Sequence, residues 1–282
     1  MTWRSRTLLT CVVVTLLSVA ALQWVPAIGA GALLHPVRSV RSLVTPPGCT
    51  EQTFNGSEID LRGWHCKAAG TRRGSVVILH GVADSRASVA GMVERFSRKG
   101  LDLVTYDSRA HGQSGGEFCT YGYFEKADLR RVIQSLPQGP VVLMGTSLGA
   151  AVALQGAADD PRVSGVVAAE VFADLKSIAR DRTPAFVPDW VVGRAFRAAE
   201  LRAGFDADAV SPLRAARSIT IPVLLIHGAR DTATSPDHSK RVLEALRGPK
   251  RLILVDGAGH NESLRDAGAW NEIDNWIDAL VR

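Results

Sequence analysis

Six short apolar runs rich in β-branched residues punctuate this chain: "SVVILH" (75–80), "LDLVTY" (101–106), "PVVLMG" (140–145), "RVSGVVAAE" (162–170), "IPVLLIHG" (221–228) and "RLILVDG" (251–257). Their alternation with helical segments constrains the fold more than any other feature. A run of this kind fits a strand buried on both faces, the situation of a parallel strand covered by helices. Successive parallel strands need long crossovers. Segments such as "SRASVAGMVERFSRKG", "YFEKADLRRVIQSL", "SLGAAVALQGAA", "SPDHSKRVLEALRG" and "SLRDAGAWNEIDNWIDALVR" have the helical spacing to supply them. The expected fold class is therefore α/β, one mostly parallel sheet with right-handed crossovers and helices on both faces. A chain of 282 residues has room for one such domain plus an embellishment. From about 174 to 217 no strand signal occurs, and "VPDWVVGRAFRAAELRAGF" sets Val192, Phe196, Ala199 and Ala203 on one helical face. This stretch reads as a helical cap over the C-terminal edge of the sheet, where open α/β folds bind ligands.

The N-terminus differs from the rest. Arg4 and Arg6 precede a stretch from Thr7 to Leu34 without a charged residue, densest at "LLTCVVVTLLSVAAL". Residues 1–34 have two readings. A single-pass membrane anchor needs about 20 mostly apolar residues, and Leu8 to Ile28 supplies them, interrupted by Gln23 and Pro26. A cleaved signal peptide would end its apolar region at Leu22, with "AGA" at 30–32 as the cleavage site. The anchor is favoured. Either way the leading arginines, weakly opposed by Arg38 and Arg41, orient the N-terminus to the cytoplasm and the remaining domain outside it, membrane-tethered or secreted. Residues 35–48, ending in "TPPG", read as a linker to a domain of 49–282. Cys49 and Cys66 flank two strand signals around an Asn-Gly-Ser turn, so they either face each other across a hairpin as a disulfide or remain buried thiols. Cys119 reads as structural.

A net charge of +5 comes from arginines scattered among acidic residues, not from a basic stripe with interleaved aromatics, so nucleic acid is not an expected partner. No zinc-type cysteine spacing, phosphate-binding glycine loop or internal repeat stands out.

The chemistry concentrates at "GTSLG", where an apolar strand gives way to an alanine-rich helix. A serine at a sharp strand-to-helix turn projects above the carboxyl edge of the sheet, and flanking glycines let neighbouring backbone approach. Ser147 is the candidate nucleophile. A hydroxyl needs a base to become nucleophilic at neutral pH. Of seven histidines, His260 lies in a glycine-rich loop after the last strand and is the candidate base. His80 and His227 each precede a glycine at a strand end and read as loop-shaping, His111 as bracing a turn, and His35, His65 and His238 as unremarkable. Asp231 follows "LLIHG" directly and is the candidate carboxylate. Asp206, Asp208, Asp237 and Asp256 suit caps and turns. Ser147, Asp231, His260 is the chain order of one known triad arrangement. The backbone N–H groups of Leu148, after the nucleophile, and Val82, in the loop after "VVILHG", are candidate oxyanion donors.

The motifs "VVILHGVADSRAS", "YDSRAHGQSGGE", "GTSLGAA", "IPVLLIHGARDTATSP" and "GAGHNE", in this order, resemble the α/β-hydrolase superfamily, in particular its serine aminopeptidase-like and monoacylglycerol-lipase-like branch. The resemblance covers roughly Cys49 to Arg282 apart from the cap. It implies an eight-stranded sheet with an antiparallel first hairpin, a triad at Ser147, Asp231 and His260, and no cofactor. One departure is Ala110, where many relatives carry glycine before the histidine.

The reaction expected is hydrolysis of an ester or related acyl bond through an acyl-enzyme. The expected partner is a small acyl substrate, hydrophobic if Phe186, Trp190 and Phe196 of the cap face it. Peptidase or acyltransferase chemistry on the same nucleophile, and a non-enzymatic binder on the same fold, stay open at this stage.

Overall fold

A computed structural model of the chain describes residues 24–39 and 44–281. The strands are β1 (Cys49–Asn55), β2 (Asp60–Cys66), β3 (Gly74–Leu79), β4 (Leu101–Tyr106), β5 (Val141–Thr146), β6 (Val163–Ala169), β7 (Val223–Gly228) and β8 (Lys250–Val255). They form one sheet in the order β1-β2-β4-β3-β5-β6-β7-β8. β1 and β2 pair antiparallel, and β2 joins β4 antiparallel. Every pairing from β4 through β8 is parallel. The fold is thus the α/β class read from the apolar runs, each of which is one of strands β3 to β8.

The helices are α1 (24–34), α2 (Val93–Arg98), α3 (Glu125–Ser135), α4 (Leu148–Ala157), α5 (Leu175–Arg182), α6 (Asp189–Ala203), α7 (Pro212–Ala216), α8 (Pro236–Ala245) and α9 (Ala267–Leu280). Both faces of the sheet are covered. Val77, Leu79 and Leu143 pack towards α3, α4 and the cap, while Val76, Ile78, Val142 and Met144 pack towards α2 and α9. Continuous burial along β3, β4 and β7 follows from this, since alternate residues enter different cores. β8 is one of the two edges, and its exposed start, Lys250 and Arg251, discourages further pairing.

Segment 85–100, expected to be one helix, is instead a 3₁₀ turn over Arg86–Met92 followed by the short α2. The Arg86 N–H and guanidinium both donate to the buried Asp107 carboxylate. That anchorage fixes the start of the segment on the loop after β4 at the expense of a regular helix.

The strand order determines where a site can form. The chain leaves β3 for β4 on one side and returns to β5 on the other, so the loops after β3 and β5 diverge and leave a crevice at the carboxyl edge. Over that edge lies the insertion between β6 and β7, which contains α5, α6 and α7. Phe196 and Ala199 are the buried residues of α6. α1 packs alongside: Ala30 and Leu34 are buried, and a Cβ on Gly29 would sit 3.0 Å from that of Ala195. The chain that follows stays on the domain, with the Cys119 N–H bonded to the Leu34 carbonyl and the Arg38 guanidinium to the carbonyls of Ser114 and Gly116.

Residues 1–23, most of the apolar stretch read as an anchor or signal peptide, lie outside the described residues. Among the described residues no helix is long and apolar enough to cross a membrane. Cys49 and Cys66 are opposite each other in the β1–β2 register and are joined by a disulfide, while Cys119 is a buried free thiol.

Candidate active site

β5 ends at Thr146 and α4 begins at Leu148, so Ser147 alone makes the turn. It does so at φ 50° and ψ −110°, a conformation rarely adopted outside glycine and costly unless the surroundings enforce it. The surroundings do enforce it. A Cβ on Gly145 would lie 2.3 Å from the Gly149 carbonyl carbon, and one on Gly149 would lie 2.1 Å from the Leu79 carbonyl oxygen. α4 can enter between β3 and β5 only because both positions lack side chains. The Ser147 N–H is held by the Ala169 carbonyl at 2.8 Å.

Next to the serine lies the loop after β3, where a Cβ on Gly81 would come within 3.8 Å of the Ser147 Cβ. Neither the Leu148 N–H nor the Val82 N–H has a hydrogen-bond partner among the described residues. With the α4 N-terminus behind them, they are suited to stabilise negative charge at this point. His80 ties that loop down. It is buried, its Nδ1 donates to the Gly81 carbonyl at 2.7 Å, and its Nε2 accepts the Ser108 N–H at 2.9 Å. Burial lowers its pKa, consistent with a neutral structural ring.

Asp231 follows β7 and is buried. Its Oδ1 accepts the N–H groups of Ala233 and Thr234, and its Oδ2 accepts the His260 Nδ1 proton at 2.7 Å. Burial by itself raises the pKa of this carboxyl. Hydrogen bonds from His227, His260 and the Thr234 N–H overcome it and hold the group well below the ordinary carboxylate range. An ionised Asp231 fixes the His260 tautomer, so Nε2 is the nitrogen left for chemistry.

The structure joins Asp231 to His260 and puts His260, Ser147 and Val82 on one cleft of about 820 Å³. Among the described residues no hydrogen bond links Ser147 Oγ to His260. Catalytic contacts of this kind often tighten only when substrate is bound. Apolar lining comes from Ile78, Val89, Met92, Met144 and Leu264. Phe186 and Trp190 are instead exposed on the cap and Phe196 is buried within it; none of the three lines the cleft.

Two groups at the site escape a reading of sequence. His227, in the "LLIHG" strand, is fully buried, and its Nε2 lies 3.2 Å from Asp231 Oδ2 and 2.8 Å from the Thr234 carbonyl. Glu170, the residue after β6, is fully buried with Oε2 3.9 Å from His260 Nδ1. The only signal of Glu170 was a lone acid ending an apolar run. Glu170, Asp231 and His260 offer ligand atoms within 4.8 Å of one another, a spacing a metal ion could bridge. These atoms are already committed to hydrogen bonds, His260 Nδ1 to Asp231 and both Glu170 oxygens to the His260 loop. A cation would have to displace those protons, so the cluster does not fit a metal centre.

Comparison with known proteins agrees with the geometry. A family model described as alpha/beta hydrolase fold matches residues 74–215, and one described as TAP-like protein matches 197–278. The uncharacterized protein YqkD of Bacillus subtilis is 32% identical over 211 residues, covering 71% of this chain and 69% of its own length. Monoglyceride lipase of Mus musculus is 24% identical over 274 residues, covering 80% and 89% respectively. Among solved structures, an esterase of Pyrococcus furiosus superposes with a TM-score of 0.71 at 22% identity, over 89% of this chain and 99% of that one.

Proposed function

Since the chain belongs to the α/β-hydrolase family and is by that kinship a hydrolase, we propose that it cleaves a carboxylic ester through an acyl-enzyme on Ser147. The observation that carries this reading is the His260 Nδ1 to Asp231 Oδ2 bond on the cleft that holds the strained Ser147 turn. His260 Nε2 takes the Ser147 proton as Oγ attacks the carbonyl carbon, and Asp231 stabilises the imidazolium. The N–H groups of Leu148 and Val82 receive the developing oxyanion. His260 then protonates the departing alcohol, and water activated by the same ring releases the acid. The apolar floor of Ile78, Val89, Met92 and Met144 favours a hydrophobic acyl group.

The test uses the full-length protein in detergent, a fluorophosphonate probe and a panel of p-nitrophenyl esters. Wild type is expected to label and to turn over. Ser147→Ala should lose the label and about 10⁴-fold or more of kcat. Absence of labelling and turnover in wild type, or equal labelling of Ser147→Ala, overturns the proposal in favour of a binding protein. Turnover of peptides but not esters would replace the substrate class.

The catalytic domain is proposed to lie outside the cytoplasm. The Cys49–Cys66 disulfide and the arginines ahead of the apolar stretch support this placement. Protection of the domain from protease in spheroplasts with an intact membrane would refute it.

A further inference from the structure

Glu170 is fully buried, yet the reaction proposed above does not require it. A carboxylate is costly to bury unless its oxygens are satisfied. Among the described residues, the hydrogen-bond donors to the Glu170 carboxylate all come from one place. Oε2 accepts the Asn261 N–H at 2.5 Å, and Oε1 accepts the Ser263 hydroxyl at 2.8 Å and the Ser263 N–H at 3.2 Å. These donors follow His260 directly in the chain. Asn261, the first of them, sits at φ 63°, so this acid holds a strained turn beside the base.

The backbone around Glu170 extends the same arrangement. Glu170 itself sits at φ 56°. Its N–H is bonded to the Ile226 carbonyl of β7, the strand that leads to Asp231, while the carbonyl of Ala169 takes the Ser147 N–H, each at 2.8 Å. One dipeptide at the end of β6 therefore touches the segments that carry nucleophile, acid and base. Its carboxylate also stands 3.9 Å from the His260 nitrogen that donates to Asp231.

We propose that Glu170 is a positioning residue for the His260 base: it clamps the loop so that the imidazole faces Ser147, and it supplies a second negative charge behind the ring when the ring takes up the Ser147 proton. The proposal rests on the serine-hydrolase reading. The other charged or titratable groups on or against this cleft are Asp231 with His227 beside it from β7 and the loop after it, His80 and Asp84 from the loop after β3, Arg182 from α5, and Glu262 and Arg265 from the loop of His260 itself. Among the described residues, Glu170 and Asp231 are the two carboxylates within 4.0 Å of Nδ1. A charge beside the ring favours its protonated form.

The experiment compares ester hydrolysis against pH for wild type, Glu170→Gln, Glu170→Asp and Ser263→Ala, with fluorophosphonate labelling as the check on Ser147. Glu170→Gln is expected to lower kcat 10- to 100-fold with KM changed less than 2-fold, and to move the acidic limb of kcat/KM to lower pH. Glu170→Asp, which keeps the charge, should restore that limb to its wild-type position even where kcat stays low. Ser263→Ala should lose severalfold in kcat without moving the limb, and it stands in if Glu170→Gln does not fold, an unchanged kcat then overturning the clamp. Wild-type kcat in Glu170→Gln overturns the proposal, and so does lost activity with an unmoved limb, which would mark a merely structural acid. If wild type fails to label at Ser147, the serine-hydrolase reading falls instead.

Discussion

Adding one methyl group at Gly149 tests whether the Ser147 turn depends on helix–strand contact. The new Cβ would lie 2.1 Å from the Leu79 carbonyl oxygen, 2.5 Å from its carbon and 2.8 Å from the His80 carbonyl oxygen. All three are backbone atoms at the end of β3, so no rotamer change relieves the clash. Ordinary contact begins near 3.5 Å, so α4 and β3 must separate by about 1 Å or more. Overpacking of this kind costs about 3 kcal/mol, against about 1 kcal/mol gained by putting alanine for glycine in a helix. The net loss of about 2 kcal/mol should lower Tm by roughly 4–8 °C in a domain of this size. The same separation moves the Leu148 N–H away from that of Val82, and a misplacement near 1 Å costs on the order of 10²-fold in rate. Gly193→Ala is the control, since a Cβ there meets no atom within 4 Å on the exposed side of α6. It should gain about 1 kcal/mol and leave kcat unchanged. Thermal melts and ester hydrolysis of both variants read the two effects. A Gly149→Ala protein that melts at or above wild type with full kcat would refute the close-approach argument.

Reducing the Cys49–Cys66 disulfide, or replacing Cys66 by alanine, should cost about 3 kcal/mol for a loop of this length and lower Tm by several degrees. Melts with and without reductant check it, and identical curves would count against the bridge. His111 is fully buried, and desolvation, followed by repulsion from His80, brings its pKa down to about 4. A depressed pKa in the folded state means that the unfolded chain binds the proton first as pH falls. Stability should therefore drop between about pH 6.5 and pH 4, by up to about 1.4 kcal/mol per pH unit for this ring. His80 acts in the same direction. Urea unfolding at pH 7 and pH 4.5 should show a smaller difference for His111→Asn than for wild type; equal differences would reject the assignment.

The strands and the candidate nucleophile were legible in sequence because both are written locally. A strand buried on two faces must be apolar throughout, and a serine turn pressed between strand and helix must have glycine neighbours. Glu170 and the role of His227 were illegible because their meaning lies in distant partners: Asn261 and Ser263 for the first, Asp231 for the second. Hydropathy showed that residues 24–34 are apolar. It could not show that Ala30 and Leu34 would be buried against protein. Ala110 stands where many members of the resembled family carry glycine. The structure puts it at φ 58°, so the glycine expected there serves the backbone, and alanine bears the strain of a left-handed turn.

The sequence offers Phe186, Trp190 and Phe196 of the cap as a hydrophobic lining, yet none of the three lines the cleft. Among the described residues, Arg182 is the single contribution of segment 174–217 to the cleft lining, and its guanidinium is occupied by the Ala233 carbonyl and the Thr234 hydroxyl. Ser88, Val89 and Met92 come from the 3₁₀ turn and its end, and Ser39 comes from the stretch after α1. The 3₁₀ turn owes its position to the buried Arg86–Asp107 ion pair. A buried pair cannot lose one partner without stranding the other charge, so this segment is anchored to the loop after β4. The apolar part of the cleft is therefore set by the same interactions that hold the sheet and its first crossover together, and the cap can vary in sequence without reshaping the apolar floor of the cleft.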